Sequence, residues 1–211
     1  EKFKFVFGVL ILLISAYLLI AFISFLFYGA ADQSKLDIKW SELFLKSDVK
    51  VENKAGKAGA YLAEVIINRG FGMASFIFIW LLLVSGFRIL GRNLVKYRKN
   101  LIFSLVTLIW LSVTLGLIFT KTDAGSSIYL GGEYGFVLSN WLSSLVGVAG
   151  LVFVLFISAL ILVIVRFEKA FDIIKGVFRK RIKDEKDIKG EEKIKDKETA
   201  EDIPVDNSIS K

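Results

Sequence analysis

The stretch that decides the fold is residues 5–28, FVFGVLILLISAYLLIAFISFLFY, twenty-four positions without a charge. As a helix it reaches roughly 36 Å at 1.5 Å per residue, enough to cross a hydrocarbon core of about 30 Å with some tilt. Backbone groups in lipid must be bonded within the segment, so an apolar run of this length reads as a transmembrane helix. Its length, and the lack of a small-residue cleavage site after a shorter core, argue against a removable signal peptide.

Working outward, three more such runs appear: 71–90 with Arg88 near one end, 101–119, and 147–165. Strict alternation, the mark of a membrane β-barrel strand, is absent from all four. The fold class expected is therefore all-α, a four-helix transmembrane bundle. Hydrophobic residues make up 55% of the 211, and they fall in blocks, where a soluble core would spread them at helix or strand periods. The net charge of +7 gathers in a short loop and just after the last run, where membrane topology places it.

Gly91 to Asn100 carries Arg92, Lys96, Arg98 and Lys99 with no acid, and Arg166 to Lys183 carries seven basic residues against Glu168 and Asp172. The intervening stretch Gly29 to Gly70 is balanced, with seven basic and six acidic residues, and Thr120 to Val146 sets Lys121 against Asp123 and Glu133. The positive-inside rule makes Arg92, Lys96, Arg98 and Lys99 the topology-setting residues and puts both termini in the cytoplasm.

Trp40 to Leu45 reads as a short interfacial piece. Two amphipathic helices are expected on the outer side, at about 56–69 and 132–146. In the first, Tyr61, Leu62, Val65 and Ile66 oppose Lys57, Glu64 and Asn68; in the second, Tyr134, Leu138, Trp141, Leu142 and Leu145 oppose Glu133, Asn140 and Ser144. The two are related. Gly56-x-x-Gly59-x-x-Leu62 matches Gly132-x-x-Gly135-x-x-Leu138 at an offset of 76, and Gly72 and Gly147 open the following runs at an offset of 75. This is a tandem repeat of amphipathic helix, glycine-marked bend and inward-going span. Gly56, Gly59, Gly72, Gly132, Gly135 and Gly147 are the helix-packing candidates, through close approach within the chain or between subunits.

The domain plan is a four-span membrane domain over 1–166, a basic juxtamembrane helix over 167–183, and a charged, disordered linker over 184–211. The linker has no aromatic residue and holds the only proline, Pro204. A chain starting at Glu1 and ending in a polar run is expected to be a fragment of a longer protein.

No catalytic constellation is present. There is no Cys and no His, which removes disulfides, thiolate sites and the commonest metal ligand. Gly86-x-x-x-x-Gly91-Arg92-Asn93 has phosphate-loop spacing but lacks the lysine and hydroxyl, and it sits at a helix end. Catalytic, cofactor-binding and metal residues are therefore read as none. A small transporter or channel is the alternative from a different class; it ordinarily needs ionisable groups in mid-membrane, and these spans carry serines and threonines instead. A motor-less envelope or divisome scaffold is a further alternative.

The stretch from Asn53 through Gly56, Gly59 and Leu62, followed by Gly70-Phe-Gly72-Met-Ala-Ser75, resembles the N-terminal four-span membrane domain of FtsK/SpoIIIE-type DNA translocases. So does Gly131-Gly-Glu-Tyr-Gly135 with Gly147-Val-Ala-Gly150. The long charged first outer loop and Lys-rich linker resemble the Bacteroidetes version. The resemblance covers about 5–165. It implies a bacterial inner-membrane protein at the division septum, associated with division proteins. It also implies a hexamer that anchors an ATP-driven DNA pump active in chromosome segregation. Beyond the lipid bilayer, partners would be further copies of the chain and division proteins. DNA, ATP and magnesium would be met only by a motor domain absent here.

Overall fold

The computed structural model describes residues 1–36, 40–45, 47–119 and 128–167. The juxtamembrane stretch 168–183, the linker 184–211, and Lys121 and Asp123 of the second outer loop lie outside the described residues. By compactness the chain divides at Ala159/Leu160 into a first unit, Glu1–Ala159, and a second of which only the helical continuation to Arg166 and the adjoining Phe167 are described.

Among the described residues all regular structure is helical. α1 is Lys2–Leu36, α2 Trp40–Leu45 and α3 Gly56–Ala63. α3 runs into a π-helical stretch Glu64–Phe71, a 3₁₀ turn Gly72–Ser75 and α4, Phe76–Ile89. α5 is Tyr97–Ile118 and α6 Gly132–Arg166, bent at Gly147. Four of these helical segments, Lys2–Leu36, Gly56–Ile89, Tyr97–Ile118 and Gly132–Arg166, are long and apolar enough to cross a membrane.

Boundaries differ from the hydropathy reading where tertiary bonds intervene. α1 runs eight residues past Tyr28, through Gly29-Ala-Ala-Asp32-Gln-Ser-Lys35-Leu36. Hydropathy ends a span where polar residues begin, but buried Asp32 and Leu36 give this extension partners. α5 likewise begins at Tyr97, four residues before the apolar run. Tyr97 is held there by the Arg88 guanidinium, 4.4 Å from its ring centre, and by its hydroxyl 3.1 Å from Ser85 Oγ.

α1 and α4 form the tightest pair. A Cβ on Gly8 would meet the Leu90 side chain at 2.8 Å and one on Gly86 would meet that of Leu12 at 2.7 Å, so each glycine is filled by a leucine that a larger residue would have to push aside. Ser15 donates to the Ile79 carbonyl at 3.2 Å, and the Phe22 ring meets Phe76 edge-on at 5.6 Å. The core gathers around Phe22, Phe25, Leu36, Leu43, Ala60, Ala63 and Ile67, all essentially inaccessible.

Candidate functional site: a clamp on the first span and a glycine junction between repeats

The site begins with a problem of backbone chemistry. Residues 52–55 are non-helical, yet they run down the side of α1. An unbonded backbone donor in such a place costs about 1–3 kcal/mol. Five consecutive amides are nevertheless satisfied. Glu52 N–H donates to both Asp32 carboxylate oxygens at 2.7 and 3.0 Å, and Asn53 N–H donates to Asp32 Oδ2 at 3.0 Å. Lys54 N–H donates to Ser24 Oγ at 2.8 Å, Ala55 N–H to Asn53 Oδ1 at 2.9 Å, and Gly56 N–H to the Asn53 carbonyl at 2.9 Å. Asn53 Nδ2 donates to the Ala21 carbonyl at 3.0 Å, and Tyr17 donates to the Ala55 carbonyl at 2.8 Å.

Positions 17, 21, 24, 28 and 32 lie on one helical face, and each takes part: Lys54 Nζ stands 5.2 Å from the Tyr28 ring centre. Irregular backbone beside a span needs its polar groups bonded, and the clamp bonds them while burying Asn53 and leaving the Glu52 and Lys54 side chains exposed. It also seats α3 deep. Gly59 faces Ala21, which is seven residues, roughly 10 Å, inside the end of the apolar run.

The second repeat is built the same way. Gly132 N–H donates to the Tyr129 carbonyl at 2.9 Å, the counterpart of the Gly56–Asn53 turn. Gly56 and Gly132 have φ of 70° and 69°, a left-handed backbone natural to glycine. Gly135 lies against Ser112, again seven residues inside the end of its preceding apolar run, as Gly59 lies against Ala21. The bends match too, with φ of 63° at Gly72 and 74° at Gly147. Sixteen positions separate turn from bend in the first repeat and fifteen in the second. The π-helical stretch takes up the extra residue, because each of its turns closes one residue later than an α-helical turn.

The two repeats meet at glycine. A Cβ on Gly72 would fall on the Leu130 carbonyl oxygen, and one on Gly132 would fall on the Gly70 carbonyl oxygen. Met73 N–H donates to the Leu130 carbonyl at 2.8 Å, so the first bend is hydrogen-bonded directly to the turn that starts the second repeat. Gly116 and Gly135 are in the same backbone-on-backbone relation, and Gly131 abuts Gly116. Ser112 donates to the Gly131 carbonyl at 2.7 Å. Phe71 reaches across to the Tyr134 ring, 5.6 Å between centres.

Beneath this junction lies buried Asn68. Its Nδ2 donates to Glu64 Oε2 at 3.0 Å and its Oδ1 accepts from Tyr129 N–H at 2.9 Å; Arg69 Nε is 3.6 Å from Glu64 Oε1. Ser75 donates to the Ile66 carbonyl at 2.6 Å across the bend.

The six glycines singled out in the sequence thus occupy three kinds of place. Gly59 and Gly135 are buried against the preceding span, and Gly72 and Gly132 are buried against each other. Gly56 and Gly147 are exposed, with nothing within 4 Å of a Cβ. Arg92, Lys96, Arg98 and Lys99 are all exposed around the α4–α5 connection. Sequence reasoning missed Asp32 and Gly116; it read Ser24 and Ser112 only as span hydroxyls that pack helices or bond their own backbone, and Asn68 only as part of a polar face. The 17-21-24-28-32 spacing was a usable signal for Asp32; Gly116 and Ser112 gave none, because their partners are distant in sequence. Among the described residues no cluster of metal-ligating side chains is present.

The family model described as the 4TM region of DNA translocase FtsK/SpoIIIE matches residues 2–176. Comparison with curated proteins and with solved structures gives no match. Four candidate spans and a family match over most of the length agree, and the chain belongs to the family of the 4TM, membrane-anchoring region of the FtsK/SpoIIIE DNA translocases.

Proposed function

We propose that this chain is the anchor and oligomerisation module of a septal DNA translocase working in cell division and chromosome segregation. It would lie in the bacterial inner membrane with both termini cytoplasmic. The observation that carries the reading is the closure of the two repeats on each other by backbone contact at Gly72 and Gly132. Such contact makes a stiff mount, because neither side has a side chain that can yield. The charges stand at the ends of the apolar runs and not within them, which suits holding better than conducting. Six copies would hold six motors at one membrane site and raise their effective concentration through the tether. ATP, magnesium and DNA would be handled by the motor, and division proteins would meet the membrane domain.

A fluorescent fusion of the chain in dividing bacteria tests the proposal: it should gather at septa. Even distribution around the envelope, or a gene lacking a G-x-x-x-x-G-K-[ST] motif downstream of Lys211, would remove its basis.

A further inference from the structure

Within the chain, one bend and one turn are used up by each other and the equivalent pair is not. Gly72 is buried on Gly132, whereas Gly147, the equivalent of Gly72, and Gly56, the equivalent of Gly132, are both exposed with open space around them. The remaining members of the junction have free counterparts as well. Phe71 on Tyr134 corresponds to Val146 and Ala58, both exposed. Met73 and Leu130 correspond to Val148, which is 61% exposed, and Lys54, whose backbone sits at the rim of the clamp. The span carrying the free bend is also the least covered. Only 6% of the apolar window of Gly132–Arg166 is buried, against 22–44% for the other three.

We infer that copies of this chain join head to tail, the Gly147 bend of one seating on the Gly56 turn of the next as Gly72 seats on Gly132 within one chain. This contact rests on the oligomerisation proposed for the chain and names its surface. The two repeats each run from an amphipathic helix through a bend into a span of the same sense, so the operation relating them keeps every copy in one bilayer. A contact between two different patches generates a ring when the rotation closes. Apolar Val146 on small Ala58 suits such a contact, and the absence of a side chain at both glycines admits backbone approach.

The chain has no cysteine, so disulfide trapping is clean. Met73→Cys with Leu130→Cys should close within one chain and calibrates the geometry. Lys54→Cys with Val148→Cys, oxidised in native membranes, should give a ladder of dimers, trimers and larger species. Either single variant should give monomer, and the two singles co-expressed should give dimer only. Crosslinked dimer from a single variant would overturn the inference in favour of a two-fold face. Monomer from the double variant, with the unaltered chain oligomeric by native mass spectrometry, would overturn it while sparing the proposed oligomerisation. An unaltered chain monomeric at native density would sink both. If the cysteine pair fails to accumulate, Val148→Trp reads the same contact. It should cut co-purification of two differently tagged copies at least tenfold, and unchanged co-purification would refute the contact.

Discussion

Replacing glycine by alanine at four positions separates backbone strain from contact. Gly56, Gly72, Gly132 and Gly147 share φ between 63° and 74°. An alanine at positive φ costs about 1–3 kcal/mol, with the upper end expected at Gly72 and Gly147, whose ψ of −140° and 162° puts them in a region essentially reserved for glycine. At Gly56 and Gly147 a Cβ meets nothing within 4 Å, so Gly56→Ala and Gly147→Ala should lose only that amount. At Gly72 the Cβ falls on the Leu130 carbonyl oxygen, and at Gly132 on that of Gly70. Backbone cannot rotate away as a side chain can. Overpacking adds about 1–3 kcal/mol, and loss of the Met73 to Leu130 hydrogen bond adds about 1 kcal/mol. Gly72→Ala and Gly132→Ala should therefore cost roughly 3–7 kcal/mol, two to three times the loss at the open pair. The assay is unfolding of the purified chain, kept monomeric by dilution in mild detergent so that contacts between copies do not count, into denaturing detergent, followed by tryptophan fluorescence and helical circular dichroism, with all four variants in parallel. Equal losses at all four sites would show that the repeats are not held by the junction and would refute the argument.

Other substitutions probe the remaining links. Asp32→Ala leaves the Glu52 and Asn53 amides without their acceptor and should cost about 2–4 kcal/mol, with faster proteolysis of the 47–55 segment as an independent readout. Asn68→Leu keeps the branching of the side chain but removes its donor to Glu64 and its acceptor for the Tyr129 amide, and about 2 kcal/mol should be lost in the same unfolding assay. Trp110→Phe removes the indole donor to the Leu155 carbonyl and Ser158 hydroxyl, 3.2 and 3.0 Å away; interhelical bonds in membranes average about 0.6 kcal/mol, so its loss should be under about 1.5 kcal/mol. A cysteine at Lys96 should resist an impermeant maleimide in intact cells and react after lysis. Labelling from outside would reverse the proposed topology.

Much of this architecture was legible in the chain itself. The four apolar runs announce four spans because lipid leaves the backbone no partner but itself, and that constraint depends on length and charge alone. The glycine spacing announces a repeat for a similarly local reason: a left-handed turn needs glycine wherever it occurs, so its trace survives in sequence. The clamp was half legible. The helical spacing of Tyr17, Ala21, Ser24, Tyr28 and Asp32 marks a face, but nothing local says that residues 52–55 would lie on it.

Which glycines are occupied is settled only by how the chain packs in space. Gly72 and Gly147 are alike in sequence context and in φ, yet one is buried against a carbonyl and the other faces open space. Gly56 and Gly132 divide in the same way. The difference lies in which neighbour arrives at each, and arrival is a property of chain connectivity in space, not of the residues flanking the glycine. Asp32 makes the same point: a carboxylate beyond the end of an apolar run reads as a helix terminus, until two amides from twenty residues away find it and the helix continues.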